Sequence, residues 1–574
     1  MNFKKYIPIA AWLPHYSKDQ WKGDLSAGLT VGVMLIPQGM AYAMIAGLPP
    51  IYGLYASTIP ILLYAIFGTS RQLAVGPVAM VSLLTAAGIG AMAEGGTETY
   101  IQLAITVAFL VGAVQFLLGL FRMGFMVNFL SHPVVSGFTS AAALIIGISQ
   151  LKHLMGVKLP ESHHVHEILI AAVQQTGNTN LIALAIGLAG IGIILGIRRI
   201  SKAIPGQLVA VIFGILAVWI FGLGEQVKIV GEVPSGLPSF SLPTFSVETW
   251  QALLPTVLTI ALVSFMESIA VAKAIQAKHK NYKIDANQEL IGLGLANLGG
   301  SFFQSFPTTG GFSRTAVNDQ AGAKTGMASI ISVGLIVLTL LFLTPLFYYL
   351  PNAILSSVIM VAVFGLIDFK EPVHLWHSNR TDFAMLIVTF IATLSLGIEQ
   401  GIAVGVVLSL VMLIYRTTRP HVAVLGRIPG TDIYRNIERF EKAEQRVDVL
   451  ALRFDAQLYF ANINYFRDTI DEWAAKKNGN LRLVVINGES INYADSSAVH
   501  ALHDIVEEYR KLGADWYFAG VKGPVRDAFA KGGLMQYIGE DNFFLTVQEA
   551  IDHYDEVYGN DREQRREMAV QRNV

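Results

Sequence analysis

AVGPVAMVS (Ala74–Ser82) and FPTTGGFSRTAV (Phe306–Val317) share one construction: a Gly- or Pro-rich extended piece placed directly before a short helical run. Both lie inside long apolar stretches. Irregular backbone at membrane depth survives only where it lines a cavity or is buried in protein. Two half-helices that begin near the midplane aim their N-termini at each other, each with free N–H groups and a partial positive charge. Such a pair favours an anion. Arg314, in the first turn of the second half-helix, adds a full charge, and Ser313 adds a hydroxyl donor. Arg at the bilayer centre costs at least about 2.5 kcal/mol, so Arg314 is expected to face an aqueous or protein cavity. The alternative is that it only neutralises a nearby carboxylate. Pro77 suits a first helical turn.

The surrounding chain has a membrane composition. Of its 574 residues, 53% are hydrophobic and only 14% charged, against roughly 25% charged in soluble domains. Lys and Arg number 41 and Asp and Glu 42, giving a net charge of −1. That balance gives no support to nucleic-acid binding. Cys is absent, which removes disulfides, thiolate metal sites and Cys nucleophiles. The first 24 residues carry Lys4, Lys5, Lys18 and Lys22 with Trp12 and Trp21 and read as an interfacial cytoplasmic segment, not a signal peptide. Residues 25–419 hold about fourteen apolar segments, most near the length that spans a bilayer; those near 76–92 and 313–323 are short or interrupted by Gly, Pro and polar residues. Residues 420–446 read as a linker and the start of a soluble domain, 447–559 as an α/β domain, and 560–574 as a charged flexible tail. Basic residues such as Arg71, Arg122, Arg198 and Arg416 collect at the ends of even-numbered segments, and acidic ones such as Glu98, Glu161 and Glu232 at odd ends. The asymmetry places both termini inside. Seven segments per half is an odd number, so the second half is inverted, and paired interrupted segments then point to a transporter's midplane site.

Two further features belong to that site. LIPQGMAYAMIAG (Leu35–Gly47) reads as a helix broken at Pro37 and Gln38. Gln38 and Tyr42 lie one turn apart and share a face; they offer an amide and a ring to the pocket, or simply pack between helices. Glu267, inside VSFMESIAVA, is the other intramembrane ionisable group. Burial disfavours an ionised carboxylate and a nearby Arg favours one. A carboxyl that takes up and loses a proton suits proton coupling; a structural Glu–Arg pair is the alternative. His163, His164 and His166 (SHHVHE) match no metal-ligand template and read as solvated loop residues. No metal and no cofactor is expected.

In the C-terminal part, DVLALRF (Asp448–Phe454), LRLVVING (Leu481–Gly488) and ADWYFAG (Ala514–Gly520) read as strands alternating with helices. No Walker-type loop is present. Ser496 and Ser497 open a helix capped by Asp495. A helix start stabilises added negative charge, so Ser496 is a phosphorylation candidate, and a plain cap is the alternative.

PQGMAYAMIAGLPPIYGLYASTIP (Pro37–Pro60), GTSRQLAVGPVAMVSLL (Gly68–Leu84), FMESIAVAKA and NLGGSFFQSFPTTGGFSRTAVN (Asn297–Asn318) closely resemble the sulfate-permease (SulP) family, which includes the animal anion exchangers pendrin and prestin. INYADSSAVHAL resembles the STAS domain, shared with bacterial anti-sigma-factor antagonists. The resemblance covers nearly the whole chain, in family order. It implies a mostly α membrane protein of seven-plus-seven inverted repeats with core and gate domains, a cytoplasmic α/β STAS domain, a homodimer and an elevator-like movement. It puts the anion between the third and tenth helices, at Val75, Gly76, Pro77 and Val78 and at Phe312, Ser313 and Arg314, with Gln38 and Tyr42 from helix 1. Glu267 matches an acidic position linked in plant-like sulfate members to proton symport. Anti-sigma antagonists phosphorylate the Ser that here is Ser496.

The reading is a secondary active transporter of an inorganic anion, sulfate favoured, moving with a proton across a bacterial inner membrane. Bicarbonate or dicarboxylate transport, with sodium coupling, exchange or a channel, is the alternative within the class. A membrane-anchored signalling scaffold whose STAS domain binds a cytoplasmic partner is the alternative from another class. An enzyme is disfavoured, because no catalytic pair or metal template lies among the intramembrane residues.

Overall fold

A computed structural model of the chain describes residues 6–125, 131–159, 165–200, 205–279 and 282–558, apart from the side chains of 398 and 399. Contacts divide it into two compact units, Met1–Ser409 and Leu410–Val574. The division falls inside a helix and so lies upstream of the expected boundary at 419.

The first unit is helical. Its first half contains α1 (Lys18–Ile45), α2 (Ile59–Phe67), α3 (Ala79–Ile89), α4 (Glu98–Leu120), α5 (His132–Ser149), α6 (Leu181–Ile200) and α7 (Gly206–Ile220). The second contains α8 (Val247–Lys278), α9 (Ala286–Ser301), α10 (Phe312–Gln320), α11 (Met327–Leu338), α12 (Asn352–Phe364), α13 (Arg380–Leu396) and α14 (Ile398–Thr418). The packing pairs are related seven by seven. α4 packs on α9 as α11 packs on α2; α8 on α3 as α1 on α10; α5 on α13 as α12 on α6. Each pair joins the two halves, so the halves interlock and neither buries its apolar surface alone.

Among the described residues seven helices are long and apolar enough to cross a membrane; Ile51–Phe67, Ala79–Ile89, Val165–Gln174, Gly206–Ile220 and Asn352–Phe364 are shorter apolar ones. Of the expected fourteen or so segments, length and composition alone thus mark only part as full spans, and the segment at Ala79–Ile89 is short as its Gly and Pro content implies. Several members of the repeat stop early because the chain is extended or turns within the bundle.

Other expectations change in detail. The first helix starts at Lys18, not at 25: Ser17 accepts from Gln20 N and the Gln20 side chain accepts from Ser17 N, a capping box. Asp24 is thus a buried helical residue and not part of a surface segment. Pro37 does not break α1, which runs through it; packed neighbours tolerate proline in membrane helices. His166 lies in the helix Val165–Gln174, not in a loop, while His163 and His164 fall outside the described residues. So does the tail from 560 onward. The short helix Lys370–Ser378, between α12 and α13, was not foreseen.

The first unit holds only the two-residue strands β1 (Val75–Gly76) and β2 (Thr309–Gly310) among its described residues, and the second unit contains a six-stranded mixed sheet. Its strands are β3 (Val422–Arg427), β4 (Tyr434–Asn436), β5 (Val449–Phe454), β6 (Leu483–Asn487), β7 (Asp515–Ala519) and β8 (Phe543–Phe544). β5, β6 and β7 run parallel, joined by α15 (Ile463–Ala475) and α16 (Ser496–Lys511), as buried strands linked by crossover helices must. Within residues 420–446, Val422–Arg427 and Tyr434–Asn436 already belong to this sheet: β3 pairs antiparallel with both β4 and β5. Leu450, Leu452, Phe454, Val484, Ile486, Trp516 and Phe518 point to one face of the sheet and form its larger core.

Candidate anion-binding site

The site is built where the two halves cross. β1 (Val75–Gly76) and β2 (Thr309–Gly310) pair antiparallel, with Val75 opposite Gly310 and Gly76 opposite Thr309. Ala74 N donates to Thr315 Oγ1 at 3.0 Å, and Gly311 N donates to Ala74 O at 3.1 Å. Gly76 has φ +147°, which an L side chain rarely adopts. A Cβ on Gly310 would stand 2.6 Å from the Leu73 side chain. Glycine is thus required at both positions, once for conformation and once for closeness.

Beyond the crossing each strand enters a helix, α3 with Val78 at its N-cap and α10 with Gly311 at its N-cap, and neither receives a side-chain cap. The first-turn N–H groups of both helices have no intrahelical acceptor. Pro77 precedes the N-cap and does not sit in the first turn, as its fixed φ had suggested. Because the strands run antiparallel before turning into helices, the two helices set off in opposite directions from one place.

Arg314 is the third residue of α10 and is 2% exposed. Its Nη1 donates to Pro77 O at 2.6 Å, tying the second half-helix to the lead-in of the first. Its Nε and Nη2 have no hydrogen-bond partner, and it makes no ion pair among the described residues. A buried guanidinium with two idle donors is costly unless something accepts from them. Gln38 Oε1 on α1 and Glu267 Oε2 on α8 are also buried and unpartnered. Tyr42, one turn beyond Gln38, is buried, and Arg314 interacts electrostatically with both Tyr42 and Glu267. Tyr42, Glu267 and Arg314 therefore lie within electrostatic reach of one another at the crossing, and Gln38 is buried one turn from Tyr42 on α1. Val75, Gly76, Pro77 and Val78 are buried beside it, whereas Phe312, 59% exposed, and Ser313 lie on its open side. Ser496 is elsewhere, exposed as the first residue of α16 in the second unit, where Asp495 Oδ1 accepts from Ala498 N at 2.8 Å.

A polar scaffold that sequence reading missed holds the crossing in place. Asn297 on α9 accepts from Thr308 N at 2.8 Å and donates to Gln115 Oε1 on α4 and to Thr308 O, both at 3.1 Å. Gln115 Nε2 donates to Ser264 Oγ at 2.8 Å. Ser268 Oγ accepts from Gly310 N at 2.7 Å, and Thr309 Oγ1 donates to Ser264 O at 2.6 Å. Glu267 lies between Ser264 and Ser268, so the turn of α8 that anchors β2 also carries the carboxyl. Two buried carboxylates secure the adjoining connections. Glu289 accepts from Tyr64 OH, Thr69 N, Thr69 Oγ1 and Ser70 N before β1. Asp24 accepts from Lys324 N, Thr325 N, Thr325 Oγ1 and Tyr16 OH after α10. The signal was present as polar residues within otherwise apolar segments, but their partners are far away in sequence.

Asn297→Leu removes the acceptor of Thr308 N and the partner of Gln115 at once. Each stranded buried group costs about 1–3 kcal/mol, so a clear fall in the thermal midpoint of the purified protein is expected. An unchanged midpoint would remove Asn297 from the scaffold.

The sulfate permease family model matches residues 21–389 and the STAS domain model residues 442–550. The chain is 39% identical over 563 residues to Sulfate transporter 4.1, chloroplastic, of Arabidopsis thaliana, covering 95% of this chain and 82% of that protein. It is 34% identical over 576 residues to High affinity sulfate transporter 2 of Stylosanthes hamata, covering 96% and 87%. Its fold is similar to the murine Solute Carrier 26 family member A9 anion transporter in the inward-facing state, with TM-score 0.88, 26% identity and coverage of 95% and 93%. The transmembrane domain of a cyanobacterium bicarbonate transporter, BicA, shares the fold at TM-score 0.59 and 23% identity, over 69% of this chain and 98% of that one. The chain therefore belongs to the sulfate permease family, whose named members are transporters and not enzymes, and is an integral membrane protein with a C-terminal STAS domain.

Proposed function

We propose that this protein is a secondary active transporter that carries sulfate together with a proton. The observation that carries the reading is the pair of uncapped half-helix N-termini around Arg314, whose Nε and Nη2 are buried without an acceptor. A tetrahedral dianion supplies acceptors in several directions and opposes both helix dipoles and the guanidinium favourably. The names of the plant relatives favour sulfate. Glu267, unpartnered at Oε2 and within electrostatic reach of Arg314, is the proton carrier in this reading. Protonation removes the negative charge of Glu267 itself, so the site holding Arg314 and the dianion carries one negative charge fewer during passage.

The movement is elevator-like: the bundle that holds the crossing slides as a body against the remaining helices and carries the anion with it. The N-terminus and the STAS domain lie in the cytoplasm, following the basic residues at the ends of even-numbered helices. The protein works as a homodimer in a bacterial inner membrane. Radiolabelled sulfate uptake into proteoliposomes, with and without an inward proton gradient, tests the function. Gradient-stimulated accumulation is expected, with little competition from unlabelled bicarbonate or fumarate. Absence of sulfate uptake in vesicles holding folded protein, with bicarbonate or fumarate taken up instead, would replace the substrate.

A further inference from the structure

The short helix Lys370–Ser378 joins two helices of the unit that matches the sulfate permease family model: α12 ends at Phe364 and α13 begins at Arg380. The chain therefore fixes it at a bilayer surface. Leu375 is buried against the protein, while Phe369, Val373 and Trp376 are 77%, 60% and 48% exposed. Their spacing of i, i+4 and i+7 puts them on one stripe. Lys370, His374 and His377 repeat that spacing one residue later, so a basic stripe runs beside the apolar one. A groove of about 570 Å³ lies between the stripes, lined by Phe369, Lys370, Val373, His374, His377 and Ser378.

Charge is segregated around this helix. Asp368 Oδ1 accepts from Lys370 N and Glu371 N and so caps the helix start. Glu371 Oε1 lies 3.2 Å from His132 Nδ1 on α5. Asp382, in the first turn of α13, accepts from Asn379 Nδ2 at 3.1 Å. All three nearby carboxylates are thus engaged within the protein. Lys370 and Arg380 are exposed and make no ion pair among the described residues. The Arg380 guanidinium sits over the Trp376 ring at 4.8 Å, and that ring packs edge-on against Phe383 at 5.0 Å, at the start of α13. An exposed aromatic at the mouth of a membrane helix, with unpaired cations beside it, fits the boundary between acyl chains and headgroups.

We propose that this helix is a binding site for an anionic phospholipid, with the acyl chains against Phe369, Val373 and Trp376 and the anionic headgroup drawn to the cations Lys370 and Arg380. A bilayer fits better than a protein partner because membrane helices bound the segment on both sides and because the unpaired charge on the face is of one sign. The site does not depend on which anion the protein carries.

The test uses the full chain in phosphatidylcholine vesicles containing either brominated phosphatidylglycerol or brominated phosphatidylcholine. The chain has 7 Trp, so the contribution of Trp376 is the difference between wild type and Trp376→Phe. Stronger quenching of Trp376 by the brominated phosphatidylglycerol is expected. Lys370→Gln with Arg380→Gln should reduce that preference about fivefold per cation removed. Lys370→Gln alone, at an exposed and unpaired position, gives the same reading should the double variant fail to fold. Equal quenching by the two lipids in the wild type, an unchanged preference in the variants, or no quenching of Trp376 by either lipid would overturn the proposal.

Discussion

Arg314→Ala is expected to weaken sulfate affinity by about two orders of magnitude, read from the concentration dependence of uptake into proteoliposomes. The substitution removes the two donors that have no partner within the protein, Nε and Nη2. A hydrogen bond to a charged group contributes about 1.5–3 kcal/mol, so even at the low end two lost together amount to about 3 kcal/mol, about two orders of magnitude. It also removes the Nη1 bond to Pro77 O, one of the links that keep the lead-ins of α3 and α10 together. Arg314→Lys separates these roles. A lysine keeps a charge but cannot present a planar fork, so it should retain part of the affinity. Wild-type concentration dependence in Arg314→Ala would place the anion elsewhere.

The second large effect is expected at Glu267. Glu267→Gln keeps the size and the hydrogen-bonding reach of the side chain and removes only its ability to gain and lose a proton. Its anchoring turn on α8 is held independently by Ser264 and Ser268, so β2 should stay in place and sulfate should still bind. Under the symport reading an inward proton gradient then accelerates uptake no further. The measurement is the ratio of initial uptake rates with and without the gradient: well above one in the wild type and close to one in the variant. Normal acceleration in Glu267→Gln would assign proton coupling to another group.

The central geometry was legible in the sequence because of a physical conflict. Glycine, proline and hydroxyl side chains in the middle of an apolar stretch are tolerated only for a reason, and Arg314 beside them made the reason electrostatic. The α/β character of the C-terminal unit was legible through strands such as Leu481–Gly488, whose continuous apolar runs mark parallel, fully covered strands. What was not legible depended on distant partners. Nothing near Val75 announces that it pairs with Gly310, and nothing near Asn297 announces Gln115. Pro77 was assigned to a helical turn on its own φ preference, whereas the pairing of β1 with β2 holds the preceding backbone extended and delays the helix to Ala79. Pro37 looked like a break because local propensity disfavours it, yet packing carries α1 through. The start of α1 was set too late because lysines at 18 and 22 resemble a surface segment; the Ser17–Gln20 capping box was the better guide. The strands within residues 420–446 are not legible locally: β3 is held by pairing with β5, more than twenty residues on, and β4 has only three residues.

The most direct measurement is a calorimetric titration of sulfate into the purified full-length protein, run in parallel on the wild type and on Arg314→Ala, with intact folding checked by thermal melts. The account predicts one saturable site per chain in the wild type and its loss, or a shift by about two orders of magnitude, in the variant. Saturable binding of equal affinity in both proteins, or none in a folded wild type, would contradict an oxyanion site at the meeting of the two half-helices.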